Sequence, residues 1–165
     1  MKRVKLDRID LRILQSLQED GRMTNVDLAK IVGISAPPCL RRVKALEESG
    51  FIKNYHAELA ADKLGYGVTI YTQVNLNSHH DADLDEFSRL VKTWPMVRES
   101  YLVTGEGDVL LKVVAESWES YQRFLTTQLM AAPRVTQVKS TLIIKTHKYE
   151  PGIPVNETAI KNGKN

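Results

Sequence analysis

Two short amphipathic segments joined by a glycine turn, spanning Leu28 to Leu46, constrain this 165-residue chain more than any other feature. Leu28, Ala29 and Val32 recur at helical spacing and stop at Gly33, a residue free to take positive φ at a helix end. Ser35 then predicts an N-cap, with Pro37 and Pro38 in the first turn of a second helix, where backbone N–H groups have no intrahelical acceptor. Within that helix Cys39, Val43 and Leu46 fall at i, i+4 and i+7 and form one narrow buried stripe. Pro37, Pro38, Arg41, Lys44 and Ala45 fall on the opposite side, with Arg42 on the flank. In a plain helical hairpin those cations would only solvate a surface. An apolar inner stripe beneath a cationic outer face, entered through a glycine turn, is also the build of a helix that enters the DNA major groove.

The flanking residues favour the second reading. Upstream, Asp7 predicts the cap of a helix whose inner face is Ile9, Ile13, Leu14 and Leu17, ended at Gly21. Thr24-Asn25-Val26-Asp27 resembles a capping box, with Asp in place of the usual Glu. Downstream, Gly50 stops the third helix, and Phe51-Ile52-Lys53-Asn54-Tyr55 alternates like a strand. Three helices followed by a strand make a winged helix-turn-helix.

Charge is distributed accordingly. The formal net charge is +3, but residues 1–56 carry 11 Lys/Arg against 7 Asp/Glu, and the remainder 12 against 13. The cationic excess lies in the helix-turn-helix end, where phosphates would attract it. No apolar run approaches membrane-spanning length, and Met1-Lys2-Arg3-Val4-Lys5 leads into a polar helix rather than a secretory segment. The single cysteine, Cys39, forms no intramolecular disulfide and reads as a small core residue, in keeping with a reducing cytoplasm.

From Val68 the rhythm changes. Val68, Ile70, Thr72, Val74 and Leu76 alternate with Thr69, Tyr71, Gln73 and Asn75, which predicts a strand. Asp81 to Thr93 follows as a helix, Val97 to Thr104 and Asp108 to Ala115 as strands, a helix capped by Ser117 and closed at Ala132-Pro133, and Val135 to Lys145 as a fourth strand. This βαββαβ order predicts a ferredoxin-like domain with both helices on one face of an antiparallel sheet. The fold class is therefore α+β: a winged helix-turn-helix over 1–56, a connector over 57–66, a ferredoxin-like domain over 67–149, and a loosely ordered tail over 150–165. Leu102, Leu110 and Val114 make the uncovered sheet face partly apolar, which points to self-association about a two-fold axis. Phe51 to Leu59 is a candidate strand across the same dimer.

These motifs together resemble the Lrp/AsnC family of prokaryotic regulators, from about Leu6 to Lys148. The resemblance rests on Leu6-Asp7-x-x-Asp10-x-x-Ile13-Leu14, on Ser35-x-x-Pro38-Cys39-Leu40-x-Arg42-Val43-x-x-Leu46-Glu47-x-x-Gly50-Phe51-Ile52, and on Val103-Thr104-Gly105-x-x-Asp108-x-Leu110-Leu111. It implies a cytoplasmic, nucleoid-associated transcription regulator that binds double-stranded DNA, dimerises through its second domain and often builds tetramers or octamers. It also implies a small-molecule effector, commonly an amino acid, bound near the turn between the second and third sensor strands at contacts between dimers.

The candidate DNA-binding residues are Ser35, Pro37, Pro38, Arg41, Arg42 and Lys44; Arg42 is equally a candidate tie to Asp10 or another acid. The candidate effector residues are Leu102, Thr104, Gly105, Glu106, Gly107 and Asp108. Backbone N–H groups around Thr104 to Gly107 suit an amino-acid carboxylate, because glycines permit close approach, and Asp108 or Glu106 suits its ammonium. The competing reading is a plain hairpin turn in which Asp108 bonds loop backbone. Relatives often carry a bulky residue where Gly107 stands, so an open space is expected beside the turn. His79-His80-Asp81 is a poor metal site, since adjacent histidines on a loop rarely converge on one ion. No Ser-His or Cys-His pairing suggests an enzyme, and no cofactor is expected. The alternative function is a metabolite-sensing oligomer whose winged helix serves protein contacts.

Overall fold

The computed structural model describes residues 6–156 and divides into two compact units. The expectation about Met1 to Lys5 and the last nine residues of the expected tail lie outside the described residues.

The first unit is built on α1 (Arg8–Glu19), α2 (Asn25–Val32) and α3 (Ala36–Glu48). Asp7 caps α1 through a reciprocal pair: its side chain accepts from the Asp10 N–H at 2.9 Å, and the Asp10 carboxylate accepts from the Asp7 N–H at 2.9 Å. These bonds satisfy two donors that the first turn would otherwise leave open. Thr24 caps α2 by accepting from the Asp27 N–H, while its hydroxyl donates to the Asp27 carboxylate at 2.6 Å. Gly33 at φ 76° and Gly50 at φ 78° end α2 and α3. At each, the following N–H reaches back to the carbonyl five residues earlier, Ile34 to Ala29 and Phe51 to Leu46. Ile13, Leu28, Ala29, Val32, Cys39 and Leu46 form the buried core of the unit. Burial pushes the Cys39 thiol up, against the opposing pull of Arg42, so it remains a neutral core group.

Two sequence expectations fail here. Residues 51–60 form no strand: the described residues of this unit hold three helices and no strand, so the alternating segment has no ladder to join. Nor is the described part of the tail separate. The chain leaves the unit at Glu58 and returns to it at Tyr149. There the Gln18 amide clasps the backbone of Ile153, donating to its carbonyl at 2.8 Å and accepting from its N–H at 3.0 Å. A side-chain amide can imitate a peptide group in this way, and no residue pattern announces it.

The second unit holds β1 (Val68–Leu76), α4 (Asp81–Val91), β2 (Val97–Leu102), β3 (Val109–Ala115), α5 (Trp118–Phe124) and β4 (Val135–Leu142). The sheet is antiparallel with order β2-β3-β1-β4. Phe87 and Val91 of α4, Tyr121 and Phe124 of α5, and the inward residues Ile70, Val74, Leu111 and Val113 share one core, so both helices cover the same face. Trp94 fills the gap between them, edge-on to Phe87 and Phe124. The Tyr121 hydroxyl bonds Thr72 at 2.9 Å and also Ser140, which satisfies the polar groups in that core.

Several boundaries are shorter than expected: α4 ends at Val91 rather than Thr93, and β3 begins at Val109 rather than Asp108. β2 ends at Leu102 because Val103 donates to the Asp108 carbonyl and closes the hairpin. β4 stops at Leu142 rather than Lys145. α5 gives way to a π turn over Leu125–Leu129. Thr126 and Thr127 lie in that turn and bond back to the carbonyls of Gln122 and Arg123, a contact that bends helices. On the open face the register places Thr69 beside Val114 and Tyr101 beside Leu110. Leu102 pairs with Val109 and so lies on the other side, at the sheet margin, contrary to the expectation that it lines the open face.

Candidate nucleic-acid interface and effector turn

The second helix of the turn, α3, is seated by charge as well as by its apolar stripe. Asp10 is buried, with 6% of its surface exposed, and a carboxylate there requires a partner. Arg42 supplies it: Nη1 donates to Asp10 Oδ1 at 2.7 Å and to Asp7 Oδ2 at 2.8 Å. Burial alone would raise the Asp7 carboxyl, but the Asp10 N–H and the Arg42 guanidinium together hold it below its ordinary value. Asp10 and then Asp7 push the guanidinium in the opposite direction, upward. Arg42 thus fastens α3 to the start of α1, and both protons of its Nη1 are taken. A second tie, from Arg12 Nη2 to the Ile31 carbonyl at 2.7 Å, joins α1 to the end of α2. A third runs from the Asn25 amide to the Ala36 carbonyl at 2.8 Å and fixes the first turn of α3.

The outward side of α3 carries what those ties leave. Pro37, Leu40, Arg41 and Lys44 are exposed, whereas Pro38 and Ala45 are half-buried. Ser35 stands at the N-cap with extended backbone, yet its hydroxyl makes no cap bond. The cause is in the sequence: the N–H groups an N-cap side chain accepts from belong to the second and third helical residues, and here these are Pro37 and Pro38. The expectation of a capping role for the Ser35 side chain therefore fails, and the residue is exposed with no side-chain hydrogen bond among the described residues. Leu40 was not singled out from the sequence, although its spacing from Pro37 and Lys44 puts it on the same face.

In the second unit, the turn between β2 and β3 hangs from β1. Asp108 donates its N–H to the Val74 carbonyl at 3.0 Å, and the Asn75 amide holds the Glu106 carbonyl at 3.0 Å. The Asp108 carboxylate is committed twice, accepting from the Leu76 N–H at 2.7 Å and pairing with His79 Nε2 at 2.8 Å. The Leu76 N–H first, then His79, hold this carboxyl below its ordinary value against burial. Asp108 is a brace between the turn and the end of β1, so of the two acids named for a ligand ammonium it is the one already engaged. Glu106 is exposed, with Lys139 at 3.8 Å as its ion-pair neighbour. The space expected beside Gly107 is absent: the residue is buried, and an added Cβ would collide with the Gln73 side chain. Among the described residues, the N–H groups of Thr104, Gly105, Glu106 and Gly107 have no acceptor. Gly105 takes φ 128°, a conformation other residues seldom adopt. Gln73, Asn75, His79 and Lys139 were missed as neighbours of this turn, because only the strand register brings them to it. No group of three metal-ligating side chains converges among the described residues.

Comparison with known proteins agrees with both halves. Residues 6–53 match the winged helix-turn-helix DNA-binding family, and residues 69–153 the Lrp/AsnC ligand binding domain. The chain belongs to the Lrp/AsnC family of transcriptional regulators. A leucine-responsive regulatory protein of Rhizobium meliloti is 50% identical over 143 residues, covering 87% of this chain and 92% of its own. The transcriptional regulator AzlB of Bacillus subtilis is 35% identical over 154 residues, 93% of this chain and 98% of its own. Among solved structures, a Neisseria meningitidis transcriptional regulator in complex with L-Met superimposes with a TM-score of 0.89 at 34% identity, covering 93% of this chain and 99% of that one. This Lrp/AsnC protein is accordingly a DNA-binding transcription regulator with a ligand-binding domain, and its relatives are regulators rather than enzymes. Among the described residues no helix is long and apolar enough to cross a membrane.

The two neighbouring arginines are expected to fail differently on substitution. Arg42→Ala strands the buried Asp10 carboxylate and should destabilise the winged-helix unit by about 1.5–3 kcal/mol, the range for hydrogen bonds to charged groups. Arg41→Ala should leave the melting temperature within a degree or two while weakening DNA binding by about 1–3 kcal/mol. Thermal unfolding and fluorescence anisotropy on the same samples separate the two; equal stability losses would refute the assignment.

Proposed function

We propose that this protein binds a pseudo-palindromic operator as a dimer or larger assembly, with α3 in the major groove, and that an amino acid or related small metabolite bound at the β2–β3 turn biases its assembly or DNA affinity. The observation that carries the DNA contact is the exposed pair Arg41 and Lys44, standing outward over a buried inner stripe. The contact set is Ser35, Pro37, Arg41 and Lys44, with Pro38 at its half-buried edge. Arg42, committed to Asp7 and Asp10, supports the set from behind.

For the effector, the open N–H groups of Thr104 to Gly107 suit a carboxylate. Glu106 is the acid left to meet an ammonium, because Asp108 is held by Leu76 and His79. Leu102, exposed at the sheet margin, supplies an apolar contact for a ligand side chain. A ligand bound in this way is consistent with a ligand-binding family domain and with the L-Met complex of the Neisseria relative. Self-association is supported by the uncovered sheet face, where Leu110, Val114, Tyr71 and Tyr101 surround the Glu99–Lys112 ion pair. Exposed Phe51, Tyr55 and Leu59 offer a strand to the same assembly. The setting is the cytoplasm, where a DNA-bound regulator meets its operator.

DNA titration at two salt concentrations, with and without a panel of amino acids, tests the reading. Affinity is expected to fall steeply between 50 and 200 mM salt, by about 10³-fold or more if six phosphates are neutralised. At least one amino acid should bind calorimetrically, and Glu106→Gln should weaken it about tenfold to hundredfold while apo-protein DNA binding persists. Salt-independent binding would favour the protein-contact alternative, and equal affinity for the variant would move the ligand elsewhere. The assembly is checked separately: Leu110→Glu should shift the intact chain toward monomer in light scattering, and an unchanged oligomer would clear that sheet face of the role.

A further inference from the structure

The front of the recognition helix is chemically unusual for a DNA reader. Helix N-termini normally offer several free N–H groups to phosphate or base acceptors. Here Pro37 and Pro38 remove two of them, and the Cys39 N–H is already bonded to the Ser35 carbonyl at 3.2 Å, which leaves the Ser35 and Ala36 N–H groups as the backbone donors at this end without an acceptor among the described residues. Polar recognition at this end is reduced to those two N–H groups and the Ser35 hydroxyl, which makes no cap bond.

What replaces the missing donors is apolar. Pro37 and Leu40 are three residues apart on the outward face, and Leu40 is 44% exposed. Arg41 and Lys44 lie beside them on the same face. A leucine framed by two cations fits a partner that is anionic at its margins and apolar at the point of contact. In the DNA major groove the thymine C5-methyl is the one methyl, and the largest apolar group, among the natural unmodified base edges.

We propose that Leu40, with Pro37, reads thymine methyl groups, and so fixes A·T pairs at the positions of each half-site facing the first two turns of α3. This rests on the DNA contact proposed above and deepens it: Arg41 and Lys44 supply affinity, and Leu40 supplies choice of base. The methyl of 5-methylcytosine presents the same group, so the recognition is of the methyl rather than of the thymine hydrogen-bonding edge.

The test uses the intact protein and a duplex that it selects itself from a randomised library. Each thymine of the selected site is replaced in turn by uracil, which removes the methyl and leaves every hydrogen-bonding group in place. One or two substitutions per half-site should weaken wild-type binding about three- to fivefold each, the amount expected for losing one buried methyl. Replacing the same thymine by 5-methylcytosine, opposite guanine, should retain more affinity than replacing it by cytosine. Leu40→Ala should bind the thymine and uracil duplexes equally, with an unchanged slope of affinity against salt because both cations remain. If uracil has no effect anywhere, or if Leu40→Ala stays as sensitive as wild type, the inference falls while DNA binding stands. If Leu40→Ala instead alters only the oligomeric state, the residue serves a protein contact and the inference falls likewise. A library that yields no enriched sequence overturns the DNA reading and the inference together.

Discussion

One guanidinium organises the DNA-binding half of this protein. Asp10 is buried because it closes the capping box of α1, and a buried carboxylate is tolerable only when a cation and further donors meet it. Arg42 meets it from α3, and in doing so converts a local capping device into a link between the first helix and the third. The prolines that open α3 make this link more important. They deny the helix an ordinary side-chain cap, so its placement depends on the Cys39–Leu46 stripe, on Asn25 holding Ala36, and on Arg42. The orientation of Arg41 and Lys44 follows: they point outward because residues one or two positions away are pulled inward.

The same division of labour governs the ligand-binding half. Asp108 has the chemistry of a ligand partner, but Leu76 and His79 take both of its oxygens and make it part of the scaffold. Its service is indirect. With the end of β1 and the β2–β3 turn pinned together, the four N–H groups from Thr104 to Gly107, which have no acceptor among the described residues, sit on a loop held at both sides, and this preorganisation would lower the cost of the anion binding proposed above. In both domains a charged side chain conspicuous in the sequence is taken up by contacts within the fold, which is why the proposed binding groups are the less conspicuous ones beside it.

Much of this was legible in the residues. The caps at Asp7 and Thr24, the glycine stops at 33 and 50, and the alternation of β1 and β3 are local signals, and local physics settles them. The two readings of Arg42 remained open because a flank position of α3 faces both solvent and α1, and only three-dimensional packing brings Asp7 and Asp10 within reach. Ser35 failed as a side-chain cap for a reason already present in the sequence: proline has no N–H to give. Phe51 to Tyr55 has the alternation of a strand, but alternation does not supply a partner, and within one chain no ladder forms there. Other features had no signal at all. Gln73 filling the place beside Gly107, and Gln18 clasping Ile153, depend on residues brought together across 34 and 135 positions of sequence.

The most direct test of this account is a double-mutant cycle between Arg42 and Asp10 in the intact chain, using Arg42→Leu, Asp10→Asn and the pair. Opening free energies of the winged-helix unit can be followed through hydrogen exchange at the buried Leu46 amide of α3. A coupling of about 1.5–3 kcal/mol is expected, so that the second substitution costs far less once the first is made. Strict additivity, within about 0.3–0.5 kcal/mol, would mean that the two groups do not stabilise each other. The seating of the recognition helix would then have to be sought in the apolar stripe alone.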